Sequence, residues 1–170
     1  MSARMHRETV LLALSVLAFG SMETAAALPA VGVVAPDFAS KSDSGRNVRL
    51  SELRGQVVLI NFWASWCNPC RQELPLLNKI YARYRAAGFM LLAVNVDDNQ
   101  KDAEAMLKRL DLRFPTLFDG NKNVAKLYGV DTMPVTLLID RDGRVRYVHR
   151  GYYGGYEQKY EQQVRELLRK

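Results

Sequence analysis

The chain has 170 residues, 48% of them hydrophobic, and a mean hydropathy of −0.17, which excludes a disordered or fibrous chain and indicates one soluble globular domain. A domain near this length buries roughly 70% of the surface its unfolded chain exposes, so it stands without disulfide staples or structural metal. The net charge of +6 invites a nucleic-acid reading, but the 24 Lys and Arg are scattered and carry no helix-turn-helix, zinc-finger or interleaved aromatic–arginine signature, so they form a solvated basic face and no nucleic-acid partner is expected.

Residues 1–27 read as an address rather than as part of the fold. Arg4, His6 and Arg7 give a basic start, Val10 to Gly20 is apolar, and Ala25-Ala26-Ala27 supplies an Ala-x-Ala site after Glu23. That is the pattern of a secretory signal peptide. Its apolar stretch falls short of the roughly 20 residues that span a bilayer, which favours cleavage over a retained anchor. Residues 28–170 are then the mature domain. Export takes it to a compartment where disulfides persist, and the periplasm is the expected location.

In the mature chain, Leu28 to Val34 is an irregular lead-in, and a short hairpin around Ser44-Gly45-Arg46 feeds a half-buried strand at Val48-Arg49-Leu50. Ser51 to Gly55 is a helical turn. Val57 to Trp63 is an apolar run without alternation, the mark of a strand covered on both faces. A long helix from about Pro69 to Ala87 follows, with Leu77, Ile80, Tyr81 and Tyr84 on its buried stripe and Gly88 as its stop. Phe89 to Val96 is a second buried strand, and Lys101 to Leu110 a helix with Met106, Leu107 and Leu110 inward. Thr116 to Phe118 is strand-like, and Val124 to Tyr128 is a short helix ended by Gly129. A hairpin joins Val135–Ile139 to Val145–Val148 across Asp140 to Gly143, and a last helix carries Tyr156, Tyr160, Val164, Leu167 and Leu168. This order predicts one α/β domain with a central mixed sheet flanked by helices.

The only cysteines, Cys67 and Cys70, fall where the central strand gives way to the long helix. A loop this small constrains little of the unfolded chain, so the pair is not there for stability. The first turn of a helix carries unpaired N–H groups and a partial positive charge, and both favour a thiolate. Lowering a cysteine pKa from about 8.5 to about 7 takes roughly 2 kcal/mol, within reach of one or two such donors. Cys67, at the cap, is therefore the candidate nucleophile. Cys70, a turn further in, is placed to attack the resulting mixed disulfide. Pro69 suits the first helical position, where its missing N–H costs nothing. Structural zinc needs four ligands, and the histidines are only His6, in the leader, and His149. A copper-handling thiol pair, joined by His149 or a methionine, is the rival binding function.

The segment Asn61-Phe62-Trp63-Ala64-Ser65-Trp66-Cys67-Asn68-Pro69-Cys70-Arg71-Gln72-Glu73-Leu74-Pro75 resembles the active-site segment of the thioredoxin superfamily, and within it the TlpA/ResA-like periplasmic thiol-disulfide oxidoreductases. The resemblance extends over roughly residues 33–168, through Ala93-Val94-Asn95-Val96 and Met133 to Asp140. It implies a thioredoxin-like fold with an N-terminal extension, and disulfide exchange needing no cofactor beyond the Cys67/Cys70 pair. It also implies client proteins with cysteines or disulfides, a membrane thiol-disulfide electron donor, and a place in cytochrome c biogenesis or copper-site assembly. A monomer is expected. A peroxidase of the peroxiredoxin type would need a Pro-x-x-x-Thr-x-x-Cys arrangement that this chain lacks.

Three further residues take roles from the resemblance. Pro75, inside the helix, is the family's kinking proline, which costs about 3 kcal/mol in a helix interior. Pro134, by itself an ordinary strand-start proline, matches a cis-proline that packs on the cysteine pair and leaves the preceding backbone free to pair with an extended client segment. Glu73, three residues after Cys70, is either a solvated helix glutamate or the acid thought in the family to tune or relay protons for the buried cysteine. Cytoplasmic thioredoxins carry an Asp where this chain has Asn61, and an amide cannot titrate, so any relay must run through Glu73 or water. Trp63 and Trp66 read as core and platform aromatics, His149 as a surface residue, and Tyr152, Tyr153 and Tyr156 as loop packing. The direction of electron flow stays open between reductase and oxidant or isomerase.

Overall fold

The computed structural model describes residues 27–170; the leader expected over residues 1–27 lies outside them except for Ala27. The fold is organised on strand β3 (Val57–Trp63), every residue of which is buried. Its β-branched and aromatic side chains have an apolar layer to meet on both faces, which is why the run shows no alternation. Strand β3 pairs in parallel with β4 (Phe89–Asn95) and antiparallel with β6 (Val135–Ile139). With β5 (Thr116–Phe118) beyond β4 and β7 (Val145–Arg150) beyond β6, the sheet has the order β5-β4-β3-β6-β7. A separate hairpin, β1 (Ala39–Lys41) with β2 (Asn47–Arg49), touches β5 through the bridge Ser42–Leu117.

Helix α1 (Asn68–Tyr84) packs against α4 (Tyr156–Leu168) and the central strands, burying Leu74, Leu77 and Ile80 against Tyr160, Val164 and Leu167 in one core. Helices α2 (Gln100–Arg109) and α3 (Asn123–Leu127) complete the order of elements, α2 starting at Asn99, whose side chain accepts the Lys101 N–H. The mixed α/β architecture expected from the sequence is the one observed.

Several local details differ from the sequence expectation. Leu50 does not end a strand. It opens a 3-10 turn over Leu50–Leu53, because Ser51 gives its N–H and its hydroxyl to the Asp37 carboxylate and draws the chain round. Tyr81 and Tyr84 are half-buried rather than core, and Tyr84 spends its hydroxyl on Glu161 of α4. Leu107 and Leu110 are likewise half-buried, and the deep residues of α2 are Ala103 and Met106. Helix α1 passes into a 3-10 turn over Arg85–Ala87 and stops at Gly88, whose φ of 90° is the left-handed conformation that glycine adopts without strain.

The largest correction concerns His149, expected on the surface. It is buried at the register position opposite Thr136, because β7 is two residues longer than expected and α4 folds over this end of it. Four arginines between Arg141 and Arg150 are engaged locally. Arg141 donates to the carbonyls of Gly55 and Leu168, Arg144 to that of Gly32, and Arg146 and Arg150 pair with Asp140 and Asp131.

Candidate active site

The loop between β3 and α1 is fixed before the cysteines are reached. Asp97, just beyond β4, accepts the Ser65 N–H at 2.9 Å and the Ser65 hydroxyl at 3.1 Å, and Asn95 Nδ2 donates to the same carboxylate at 2.8 Å. The Val96 N–H donates to the Trp63 carbonyl at 3.0 Å. Strand ends that are parallel neighbours thus tie down the segment that presents the thiols. This clamp was not legible in the sequence, where Ser65 and Asp97 carry no motif.

Cys67 is the N-cap of α1, in extended conformation, and its Sγ accepts the Cys70 N–H at 3.2 Å. Asn68 is the first helical residue, so Pro69 occupies the second position rather than the first as expected. Its missing N–H still falls among the first-turn donors that have no helical partner. Cys67 and Cys70 are joined as a disulfide, Cys67 being 5% exposed and Cys70 wholly buried behind it. Solvent and partners therefore meet Cys67 first.

Cys67 lies in the wall of an open, mainly apolar cleft of about 810 Å³, shared with Trp66, Val96, Ala125, Val130 and Met133. Trp66 is 67% exposed whereas Trp63 is buried in the core, which separates the platform aromatic from the packing one. The Met133–Pro134 peptide is cis, and Pro134 is buried at the entrance to β6. The sheet register on both sides of β6 begins at Val135, so Thr132 and Met133 stand outside the ladders at the cleft wall.

Glu73 does not point into solvent, which removes the solvated-glutamate alternative. It is wholly buried and receives three neutral donors. Asn61 Nδ2 donates to Oε2 at 2.8 Å, while Thr136 Oγ1 and the Tyr160 hydroxyl donate to Oε1 at 3.1 and 2.7 Å. Burial raises its proton affinity above the ordinary glutamate value, against the pull of these three donors toward the ionised form. The same burial, with the negative charge of Glu73 beside it, raises the Tyr160 phenol far above its usual range. His149 is pushed the other way: burial lowers its pKa, only partly opposed by its hydrogen bond to Gln163. Its ring rests on those of Tyr160 and Tyr156, so this histidine, weighed as a copper partner for the thiols, is already engaged elsewhere. Pro75 lies one turn along α1 from Arg71, whose carbonyl it cannot bond.

Sequence reasoning placed Cys67, Cys70, Glu73 and Pro134 in one region but missed the ring of side chains around Glu73. One signal was available: Thr136 is a polar residue inside the otherwise apolar strand Val135–Ile139. Tyr160 carried none, because its spacing matched the core face of a helix.

A mixed sheet with a cysteine pair capping the helix after its central strand defines a thioredoxin-like protein. Residues 31–148 match the AhpC/TSA family. The chain is 38% identical over 153 residues to the thiol-disulfide oxidoreductase ResA of Geobacillus thermodenitrificans, covering 87% of this chain and 88% of the relative. Of solved structures, it superposes with a TM-score of 0.78 on a protein of Chlorobium tepidum described as a thiol:disulfide interchange protein DsbE, at 41% identity, covering 82% of this chain and 99% of that one. A protein of Bacteroides thetaiotaomicron described as a protein disulfide isomerase superposes with a TM-score of 0.76 at 32% identity, covering 84% and 92%. The chain belongs to the AhpC/TSA family. Within it, the protein is a thiol-disulfide oxidoreductase of the ResA/DsbE type, with Cys67 and Cys70 as its disulfide pair.

Proposed function

We propose that this oxidoreductase is a periplasmic disulfide reductase of exported proteins, acting as a monomer through Cys67 and Cys70 with no further cofactor. Electrons come from a membrane thiol-disulfide donor. The clients are proteins of cytochrome c maturation or copper-site assembly, the classes its family resemblance implies. The observation that carries the proposal is the layered arrangement of the pair: Cys67 at the cleft wall and Cys70 sealed behind it on the first turn of α1.

In the reduced protein the Cys67 thiolate attacks one sulfur of a client disulfide. A Cys67–client bond forms, the client disulfide breaks, and its second sulfur leaves as a thiolate. Cys70 then gives up its proton and attacks Cys67 Sγ, which forms the Cys67–Cys70 bond and releases the first client sulfur. Two electrons have passed to the client; one client thiolate takes a proton from solvent, replacing the one Cys67 gave up on becoming a thiolate, and the other takes the Cys70 proton passed on by Glu73. The Cys70 N–H directed at Cys67 Sγ supports the thiolate at the cap. Glu73, one turn beyond Cys70 on the same helix face, is the group that takes the Cys70 proton. The extended client segment lies along Thr132 and Met133 by main-chain pairing, which tolerates several client sequences.

Export is supported by the leader pattern, and no helix among the described residues is long and apolar enough to cross a membrane. Equilibrating the purified protein with glutathione or dithiothreitol buffers tests the direction of electron flow. A potential near about −270 mV, that of thioredoxin, is expected, and one near about −120 mV, that of a strong oxidant of the same fold, overturns the reductase in favour of an oxidant. A Cys70→Ser variant then holds clients as mixed disulfides for identification. Tight Cu(I) binding lost with either cysteine, without disulfide reduction, would replace the proposal with the copper-binding alternative.

A further inference from the structure

Glu73 is an acid sealed in the interior, and among the described residues no Lys or Arg donates to it. As proton partner of Cys70 it must nevertheless exist in two states, so its surroundings have to tolerate both. The two carboxyl oxygens are gripped by side chains of three different elements. Oε2 is held by Asn61 from β3, and Oε1 by Tyr160 from α4 together with Thr136 from β6.

Neither grip is a simple packing contact. Asn61 Nδ2 is shared between Glu73 Oε2 and Thr136 Oγ1, both at 2.8 Å, while Asn61 Oδ1 is buried with no partner among the described residues. An orphaned amide oxygen inside a core is costly and persists where the other end of the amide is committed. In this orientation the amide donates to the carboxylate and so supports its ionised form. Tyr160 is held in place by its ring contacts, 5.0 Å between centroids to His149 and 5.8 Å to Tyr156, and its hydroxyl finds its acceptor in Glu73.

We propose that Asn61 and Tyr160 are positioning residues of this oxidoreductase, each fixing one carboxyl oxygen of Glu73 and together setting the pH at which the buried acid exchanges its proton. The proposal rests on Glu73 being the proton partner of Cys70. The titratable groups around it are Cys70 on its own helix, Tyr160 on α4, His149 on β7 behind the Tyr160 ring, and Tyr152 on the β7–α4 connection, which carries the Coulombic influence of Glu73.

The test is the pH titration of the Glu73 carboxyl carbon by NMR in the oxidised protein, beside the pH profile of client reduction by the reduced protein. Tyr160→Phe and Asn61→Leu each remove a donor to the carboxylate, and each is expected to move the Glu73 midpoint upward by about one pH unit. The Glu73-dependent limb of the rate profile moves with it. Tyr156→Phe, which alters the same aromatic group without touching Glu73, leaves the midpoint in place. If Leu is not accommodated at position 61, Asn61→Ala removes the same donor. Unchanged midpoints in both variants, with only a lower melting temperature, would make the residues purely structural and overturn the proposal; a shift in one alone would overturn the two-sided grip. The titration uses neither client nor redox buffer, so it stands apart from the direction of electron flow. A Glu73→Gln variant with an unaltered rate profile would instead remove the role of Glu73 on which the proposal rests.

Discussion

At the scale of the residue, Glu73 is a buried acid to which no Lys or Arg among the described residues donates. Because burial raises the proton affinity of Glu73, the folded protein holds that proton to higher pH than the unfolded chain does. Stability contributed by the protonated form is present at low pH and is lost as pH rises above the unfolded glutamate pKa of about 4.3 toward the raised folded value. Glu73→Gln keeps an oxygen for Tyr160 and Thr136 but cannot ionise. Urea titrations across this range are therefore expected to show the stability difference between the variant and the wild type moving in favour of the variant as pH rises. A constant difference would mean that Glu73 has no raised proton affinity. His149 acts with the opposite sign: burial lowers its pKa, so the stability from its neutral form is lost as pH falls below the unfolded value of about 6.5. The two effects are separated by measuring Glu73→Gln on both sides of neutrality.

At the scale of the element, α1 divides its work along its length. Its first turn presents chemistry, and its later turns bury Leu74, Leu77 and Ile80. Trp66, just before it, is exposed beside the nucleophile. Substitutions in the two parts should accordingly separate stability from activity. Leu77→Ala empties a fully buried site and is expected to cost about 2–5 kcal/mol in urea unfolding, with the disulfide chemistry of the remaining folded protein intact. Trp66→Ala removes no core packing. It is expected to leave the melting temperature within a degree or two, as a surface change does, and to raise KM for protein clients far more than for small disulfides. An equal loss on both substrates would take Trp66 out of client binding. The same division explains how a proline is tolerated at position 75: it sits past the turn that presents the thiols, where the helix is supported by the core.

At the scale of the whole molecule, Arg141, Arg144, Arg146 and Arg150 are engaged locally, by backbone carbonyls and by the part-exposed Arg146–Asp140 and Arg150–Asp131 pairs. Exposed pairs of this kind contribute about 0–1 kcal/mol each and are screened by salt. Melting curves recorded from low salt to about 0.5 M should shift only slightly, since stability resides in the apolar core around β3.

What the amino-acid order determined by itself was local and periodic: the continuous apolar run that makes β3, the stop at Gly88, and the Cys67–Cys70 spacing at a strand-to-helix junction. These are legible because backbone preference and burial pattern are written over a few neighbouring residues. Tertiary structure alone decided what surrounds Glu73 and His149. Asn61, Thr136 and Tyr160 come from three different elements, and although Asn61 and Thr136 stand out as polar residues in apolar strands, their convergence on Glu73 exists only once β3, β6 and α4 are packed together. His149 became interior for the same reason, since α4 covers the end of β7. Ionisation and solvation of a side chain depend on distances of a few ångströms between such elements, and the chain records those distances only once it is folded.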